Sequence, residues 1–580
     1  MKLKDNYSQD ILGHANAWLS PPFDEETIRQ VKNLMENDSD EFNESFYTDL
    51  EFGTGGLRGI MGVGTNRLNK YTVGLATQGF ANYLNQQFQG KETAVAIAYD
   101  SRNNSPEFAR NAADVLTANG IKVFLFDALR PTPLLSFAVR HLKCQGGIVV
   151  TASHNPPAYN GYKVYWEDGG QIVRPHDAGI INEVRAIASY NQVKSVGNDD
   201  LLNRVGEEVD EAYLKVLATK ALSAEVVKAQ SNMPIVYTSL HGTGITMVPK
   251  ALKMIGLNNV HLVASQEAPD GNFPTVASPN PEEGAALQAG IDLAKKVQAE
   301  IVLGTDPDTD RVGIAVRNTT GEYVLLNGND TGALLVWYQL TRMQELNVVP
   351  SNGFIGKTVV TSEIITEIAS HFGLPCYDTL TGFKWIADLI RSKEGEEVFI
   401  TGGEESYGYM IGDFVRDKDG VAASMMICEM TAWAKSRGMN LLALLEEVHE
   451  ATSVYREALV SLKKEGMAGK EEIALMMKNF RENPPTALGG ENVSTMIDFQ
   501  NGTSRDIRSN EVSSIDLPSS NVIQYVLEDG SRVTARPSGT EPKIKFYFSV
   551  RNTNKSAPYN ERINDLNKQI EMLKSELLAG

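Results

Sequence analysis

Gly146-Gly147-Ile148-Val149-Val150-Thr151-Ala152-Ser153-His154-Asn155-Pro156 is an apolar run that empties into a polar turn with a serine at its tip. A short apolar run bounded by turn residues reads as a buried strand, and ligands of open α/β sheets bind beyond the carboxyl ends of strands. The pattern recurs outward in both directions. Apolar runs at Val95 to Ala98 and Lys122 to Phe126 precede it; others follow at Pro234 to Thr238, Ile301 to Gly304, Phe354 to Thr361 and Val398 to Thr401. Helix-length amphipathic stretches separate them, as expected of α/β units with parallel sheets.

A chain of 580 residues exceeds what one core usually serves, so several domains are expected. Residues 1–50 read as a helical extension, with Ile28, Val31, Leu34 and Met35 on one face, packing on the first domain. Three α/β domains are expected at 51–205, 206–323 and 324–450, then an α+β domain at 451–580. In the last, Val522 to Leu527, the turn Asp529-Gly530, Arg532 to Ala535 and Ile544 to Val550 read as antiparallel strands, closed by a helix from Glu561 to Leu578.

The net charge of -19 repels nucleic acid and anionic membranes, so any bound phosphate must be drawn by a local cationic site. Cys144, Cys376 and Cys428 are too scattered for a disulfide framework or a metal cluster and fit a reducing cytoplasm. The first residues form no signal peptide, and no apolar run approaches the roughly eighteen residues of a membrane span.

Four loops carry chemistry. The serine turn around Ser153 lacks the flanking glycines of a hydrolase nucleophile elbow, and by itself it fits an ordinary turn serine equally well. In Leu303-Gly304-Thr305-Asp306-Pro307-Asp308-Thr309-Asp310-Arg311, three alternating carboxylates repel one another unless a hard cation relieves them. An EF-hand is excluded, because Arg311 and Arg317 stand where it needs glycine and glutamate. A site with so few ligands suits Mg²⁺; an acidic surface turn is the plain alternative. Phe399-Ile400-Thr401-Gly402-Gly403-Glu404-Glu405-Ser406-Tyr407-Gly408 offers carboxylate and hydroxyl to sugar hydroxyls, although a helix cap would use the same residues. Arg536-Pro537-Ser538-Gly539-Thr540-Glu541-Pro542-Lys543 combines a guanidinium fork with small residues able to nest an anion, or is simply a β-turn.

The order of these loops resembles the α-D-phosphohexomutase family, the phosphoglucomutases and phosphomannomutases, with phosphoserine, metal, sugar and phosphate loops, one per domain. The resemblance runs from about Glu51 to Val550 and includes Phe52 to Gly59, Tyr99-Asp100-Ser101-Arg102 and Asn160-Gly161-Tyr162-Lys163. It implies three similar α/β domains with mixed or parallel sheets and a smaller C-terminal α+β domain around a central cleft. It also implies that Ser153 carries a phosphoryl group and that Asp306, Asp308 and Asp310, with a phosphoserine oxygen, hold Mg²⁺. Arg58 and Lys163 match cations near the phosphoserine, and a basic group such as Lys163 is expected to accept the attacking hydroxyl's proton, its identity left open by the sequence. Glu404 and Ser406 match sugar contacts; Thr381 and Lys384 belong to a sugar-selecting loop; Arg536, Ser538, Gly539 and Thr540 match the clamp on the unreacting phosphate. Arg311 is a further expected substrate contact, and Thr54, Arg102 and His154 are expected near the site.

The implied reaction moves a phosphoryl group between two hydroxyls of a hexose phosphate through hexose 1,6-bisphosphate, which is both intermediate and activator. Tyr407 follows the pattern of glucose-specific relatives, whereas dual-specificity and amino-sugar relatives carry a histidine in this loop. Glucose phosphate is thus the expected substrate, with mannose, dual or pentose phosphate specificity as alternatives. A sensor without catalysis is the rival of a different class, but it has no need of a phosphorylatable serine beside a metal. The expected assembly is a monomer or homodimer.

Overall fold

The computed structural model describes residues 8–37, 39–53, 55–464, 466–538 and 543–578. The chain forms two compact units: Met1–Leu326 with Ile390–Ser392 and Gly408–Arg437, and Asn327–Leu389 with Lys393–Tyr407 and Gly438–Gly580.

In the first unit, the opening run becomes β4 (Gly146–Val150), with every residue buried. Its sheet contains β1 (Gly56–Ile60), β2 (Ala94–Tyr99), β3 (Lys122–Phe126), β5 (Tyr159–Trp166) and β6 (Leu202–Val205), in the order β1-β5-β4-β2-β3-β6. The β2, β3, β4 and β6 strands run parallel, as the α/β spacing predicts. The hairpin strand β5 folds back antiparallel on β4, placing Lys163 opposite Val149, and β1 pairs antiparallel with β5. Gly161 lets β5 pass the serine turn: a Cβ there would lie 2.4 Å from the Thr151 carbonyl oxygen.

A second sheet follows, with β7 (Ile235–Thr238), β8 (Val260–Leu262), β9 (Ile301–Thr305), β10 (Val312–Arg317) and β11 (Tyr323–Leu326) in the order β11-β10-β9-β7-β8. Strand β9 is parallel to β7 and antiparallel to β10, so the acidic loop between β9 and β10 is a hairpin tip. The N-terminal helices Gln9–Ala17, Glu25–Asn37 and Ser39–Phe46 pack through Trp18, Val31, Met35, Phe42 and Phe46 onto Tyr71 of the first sheet's layer. The expected apolar face of residues 25–37 therefore covers that domain.

In the second unit, β12 (Gly353–Thr358) pairs parallel with β13 (Cys376–Thr379) and β14 (Val398–Glu404). A C-terminal antiparallel sheet runs through Val454–Lys463, Lys543–Asn552, Arg532–Pro537, Ile523–Leu527 and Glu491–Asp498. The closing helix Tyr559–Leu578 lies on it, burying Leu566, Ile570 and Leu573 against Phe546 and Phe548. Three α/β sheets and a β-rich C-terminal part match the expected mixed or parallel sheets; the antiparallel strands of the first two sheets are β5 and β10, each folding back on the strand before it, and the edge strands β1 and β11 that pair with them. Among the described residues, no helix is long and apolar enough to cross a membrane.

Candidate active site

Ser153 follows β4 in the left-handed region, at φ 52°, with its backbone N–H donating to Thr151 Oγ1 at 2.8 Å. That turn aims the hydroxyl away from the strand and into the loop after β9. Ser153 Oγ donates to Asp306 Oδ2 at 2.7 Å and lies 3.1 Å from His154 Nδ1, although the residue is only 4% exposed. Beneath it, Arg102 Nη1 donates to the carbonyls of Pro156 and Tyr159 at 2.9 Å each. Arg58, on β1, reaches Asn155 Oδ1 at 3.4 Å.

Asp306, Asp308 and Asp310 are buried and offer ligand oxygens that all lie within 4.8 Å of one another. Asp306 Oδ1 accepts the backbone N–H groups of Asp310 and Arg311 at 3.1 and 3.0 Å. Asp308 Oδ2 accepts Thr132 Oγ1 and Lys163 Nζ, both at 2.9 Å. Lys163 Nζ also stands 3.3 Å from Asp310 Oδ2, and Lys418 Nζ approaches the same oxygen at 3.3 Å. Burial, and then the neighbouring Asp308 and Asp310 charges, push the Asp306 carboxyl well above the usual range. Burial raises Asp308 too, but the Lys163 ammonium outweighs it and holds Asp308 below that range.

The donor set fits a hard divalent cation. Asp308 Oδ1 and Asp310 Oδ1 are buried without a hydrogen-bond partner, and a buried carboxylate oxygen is costly unless a proton donor or a metal satisfies it. All three carboxylates and the serine hydroxyl are oxygen donors, which suits Mg²⁺.

Among the expected residues of this unit, Ser153, Lys163, Arg102, His154, Arg58 and the three aspartates come together. Arg311 faces Glu282, its Nη1 2.5 Å from Oε1, and also lies 3.8 Å from Asp310 Oδ1. Sequence reasoning missed Lys418 and Thr132. Lys418 stands in Arg416-Asp417-Lys418-Asp419-Gly420, where Asp419 caps the apolar helix Gly420–Ser436 by accepting from Val421 and Ala422. A cap signal ahead of an apolar helix was available in the sequence, but nothing local told that the adjacent lysine is 8% exposed and points at Asp310.

The other expected contacts belong to the second unit. Glu404 ends β14 and accepts the Gly382 backbone N–H at 2.8 Å, tying the sugar loop to the loop of Thr381 and Lys384. Lys384 Nζ lies over the Trp385 ring. Ser406 precedes Tyr407, whose φ of 64° turns the chain sharply. Glu405, beside them, accepts the Thr361 hydroxyl at 3.1 Å. Tyr547 brings sugar loop and clamp together, since its hydroxyl is hydrogen-bonded to Arg536 and sits in the field of Glu405 and Glu404. The backbone N–H of Ser538 donates to the Lys543 carbonyl at 2.7 Å. Gly539, Thr540 and Thr54 lie outside the described residues.

Family models match the chain in succession. The phosphoglucomutase/phosphomannomutase alpha/beta/alpha domain I matches residues 49–191, domain II 211–321, domain III 327–451 and the C-terminal domain 501–566. A phosphoglucomutase of Staphylococcus epidermidis is 39% identical over 539 residues, covering 92% of this chain and 96% of that protein. One of Staphylococcus aureus is 37% identical over 525 residues, covering 90% and 93%. The crystal structure of the Paramecium phosphoprotein pp63/parafusin, a phosphoglucomutase, shares the fold at a TM-score of 0.66 and 18% identity, covering 92% of this chain and 96% of that one. With relatives this similar along nearly its whole length, the chain belongs to the phosphoglucomutase/phosphomannomutase family.

Proposed function

We propose that the chain is an intramolecular phosphotransferase that interconverts glucose 1-phosphate and glucose 6-phosphate through phosphorylated Ser153 and glucose 1,6-bisphosphate. The observation that carries this reading is the Ser153 hydroxyl held 2.7 Å from a carboxylate of the buried aspartate triad. A hydrolase serine would need a base oriented by a third group, whereas this serine faces an acidic cluster built for a cation.

Asp306, Asp308, Asp310 and a phosphoserine oxygen would hold Mg²⁺, which when bound withdraws charge from the phosphoryl group and from the serine oxygen that leaves it. The chain's own residues do the rest. The free hydroxyl of glucose 1-phosphate attacks phosphorus in line, the bond from phosphorus to the Ser153 oxygen breaks, and the hydroxyl's proton ends on that oxygen. Lys163, ion-paired to Asp308 and Asp310, serves as a fixed cation beside the transferring group. A loose transition state asks little of a base, so positioning and charge dominate. Arg58 adds positive charge at the same turn.

The bisphosphate must then present its other phosphate to Ser153, and returning that phosphate leaves glucose 6-phosphate. Arg536, with Ser538, Gly539 and Thr540, grips whichever phosphate is not reacting, while Glu404, Ser406, Thr381 and Lys384 hold the sugar. Tyr407 in place of a histidine favours a neutral hexose. The assembly is a monomer or homodimer acting on free phosphosugars in a reducing cytoplasm.

A coupled assay with glucose 1-phosphate, mannose 1-phosphate and ribose 1-phosphate, each with trace bisphosphate and Mg²⁺, tests the assignment. Glucose 1-phosphate should give the highest kcat/KM. Faster turnover of mannose or ribose phosphate would overturn the sugar assignment, and bisphosphate accumulating without isomerised product would overturn the mutase reaction.

A further inference from the structure

Arg102 is 1% exposed and reaches the serine turn at four carbonyls: Nη2 donates to Ser153 and Asn155, Nη1 to Pro156 and Tyr159. One guanidinium therefore fixes the backbone of the whole turn. Its Nε lies 3.4 Å from Asp100 Oδ2, which keeps the charge compensated. Besides these bonds, an aromatic ring from another layer of the unit stands against the guanidinium. The Phe273 ring centroid lies 5.1 Å from Arg102 Cζ, within cation–π range, and the residue is 1% exposed.

Phe273 occupies the left-handed region at φ 47°, where a residue with a Cβ is strained. Strain of this kind persists only where the surroundings over-determine it, and it concentrates at functional positions. The surroundings here are explicit. A Cβ on Gly271 would lie 2.4 Å from the Asn103 nitrogen and 2.9 Å from Arg102 Cα, so the 270–273 turn is seated directly on the arginine's backbone. Asn103 Nδ2 adds a hydrogen bond to Asn272 Oδ1 at 2.9 Å.

The other side of this turn leads to the carboxylate loop. The Asp270 N–H donates to the His241 carbonyl at 3.1 Å, and the His241 ring is held between the Ala268 carbonyl and Thr275 Oγ1 at 3.1 and 2.9 Å. His241 and Leu240 are themselves at φ 61° and 46°. Two residues on, Thr243 donates from both its N–H and its hydroxyl to the Pro307 carbonyl, at 2.8 and 2.9 Å. Pro307 lies between Asp306 and Asp308. A continuous set of strained turns and hydrogen bonds thus joins the acidic loop to the carbonyls of the serine turn, and Phe273 is its contact with Arg102.

We propose that Phe273 is a positioning residue for Ser153, pinning Arg102 so that the serine turn keeps its register with the carboxylate loop. The inference rests on the reading of Ser153 as phosphoryl carrier. It concerns the reacting end of the site alone, so it separates kcat from KM.

The test compares the full-length Phe273→Leu and Phe273→Tyr variants with Ser153→Ala in steady-state assays, together with the single-turnover rate of phosphoryl transfer from glucose 1,6-bisphosphate to the protein. Leucine removes the π face at similar bulk; tyrosine keeps it. For Phe273→Leu, both kcat and the single-turnover rate should fall roughly 10- to 100-fold, as misplacement of a reacting group does, with KM moving less than about threefold. Phe273→Tyr should stay within about threefold of the parent in both rates. A Phe273→Leu variant that melts normally with unchanged rates would overturn the inference, as would a loss shared equally by the tyrosine variant. Should the leucine variant fail to fold, Arg102→Lys is read in its place: the charge stays, the fork is lost, and an unchanged single-turnover rate would be equally contradictory. Ser153→Ala separates the two failures. If it still turns over, the serine reading is wrong; if it is dead while Phe273→Leu is unimpaired, only the positioning role falls.

Discussion

At the scale of single residues, the site is a problem in charge compensation. Two lysines, Lys163 and Lys418, stand against three buried aspartates. Removing one partner from a buried ion pair leaves the other uncompensated, which typically costs roughly 3–5 kcal/mol. Lys418→Met should therefore destabilise the protein by about 3 kcal/mol in denaturant unfolding. Mg²⁺ bound at the triad, as proposed, would supply the missing charge, so saturating Mg²⁺ should restore part of that loss. A variant as stable as the parent without metal would show that Lys418 is not part of this balance. Arg536 makes the opposite kind of prediction. Loss of a charge-assisted hydrogen bond worth roughly 1.5–3 kcal/mol should raise KM of Arg536→Ala by about 10- to 100-fold, with a smaller effect on kcat. An unaltered KM would remove it from the clamp. Among the candidates, the acidic triplet was legible as a cation site from residue type and spacing, and Ser153 only through the order of the four loops, since its turn alone fits an ordinary serine equally well. Lys418, Thr132, Phe273 and Tyr547 were not, because each acts through a contact that only the folded chain creates.

At the scale of elements, what the residues read as strands proved to be strands, and the chemistry sits where strand gives way to loop. The runs before Ser153 and Asp306 are wholly buried as β4 and β9, so their loops emerge from rigid supports. Less legible were β1 and β5. The sequence from Tyr159 to Trp166 mixes polar and aromatic residues without the apolar run that marks β4, yet it pairs with β4 over five residues. Its strand character comes from the neighbour it pairs with rather than from its own pattern. The sugar loop carries a pH prediction. Burial, and then the charge of Glu404, push the Glu405 carboxyl up from 4.5 to about 7. The folded chain therefore holds this proton through a pH range in which the unfolded chain releases it. Stability contributed by this group is present below about pH 4.5 and is lost as pH rises toward 7. Glu405→Gln should accordingly flatten the decline in melting temperature between those two pH values by a few degrees. An unchanged slope in calorimetric scans would contradict it.

At the scale of the whole molecule, the protein binds phosphate against its own field. A chain of net charge -19 gains nothing from long-range attraction of phosphosugars, so affinity must come from local cations, and salt should affect kcat/KM only weakly. The proposed Mg²⁺ site at the buried aspartate triad carries a stability prediction of its own. Adding Mg²⁺ should raise the melting temperature, since a ligand bound only by the folded state stabilises it by mass action. Asp306→Asn combined with Asp308→Asn should abolish that response, and the metal-free protein should lose stability because the Lys163 ammonium is left with Asp310 alone. A full Mg²⁺ response in the double variant would place the metal elsewhere. The central claim is that the phosphoryl group passes through Ser153, and intact-mass and peptide mass spectrometry after brief exposure to glucose 1,6-bisphosphate and Mg²⁺ test it most directly. The parent protein should gain one phosphoryl group, mapped to Ser153 and discharged by added glucose 6-phosphate, and Ser153→Ala should gain none. A turning-over enzyme that stays unlabelled, or a label on another residue, would contradict the account.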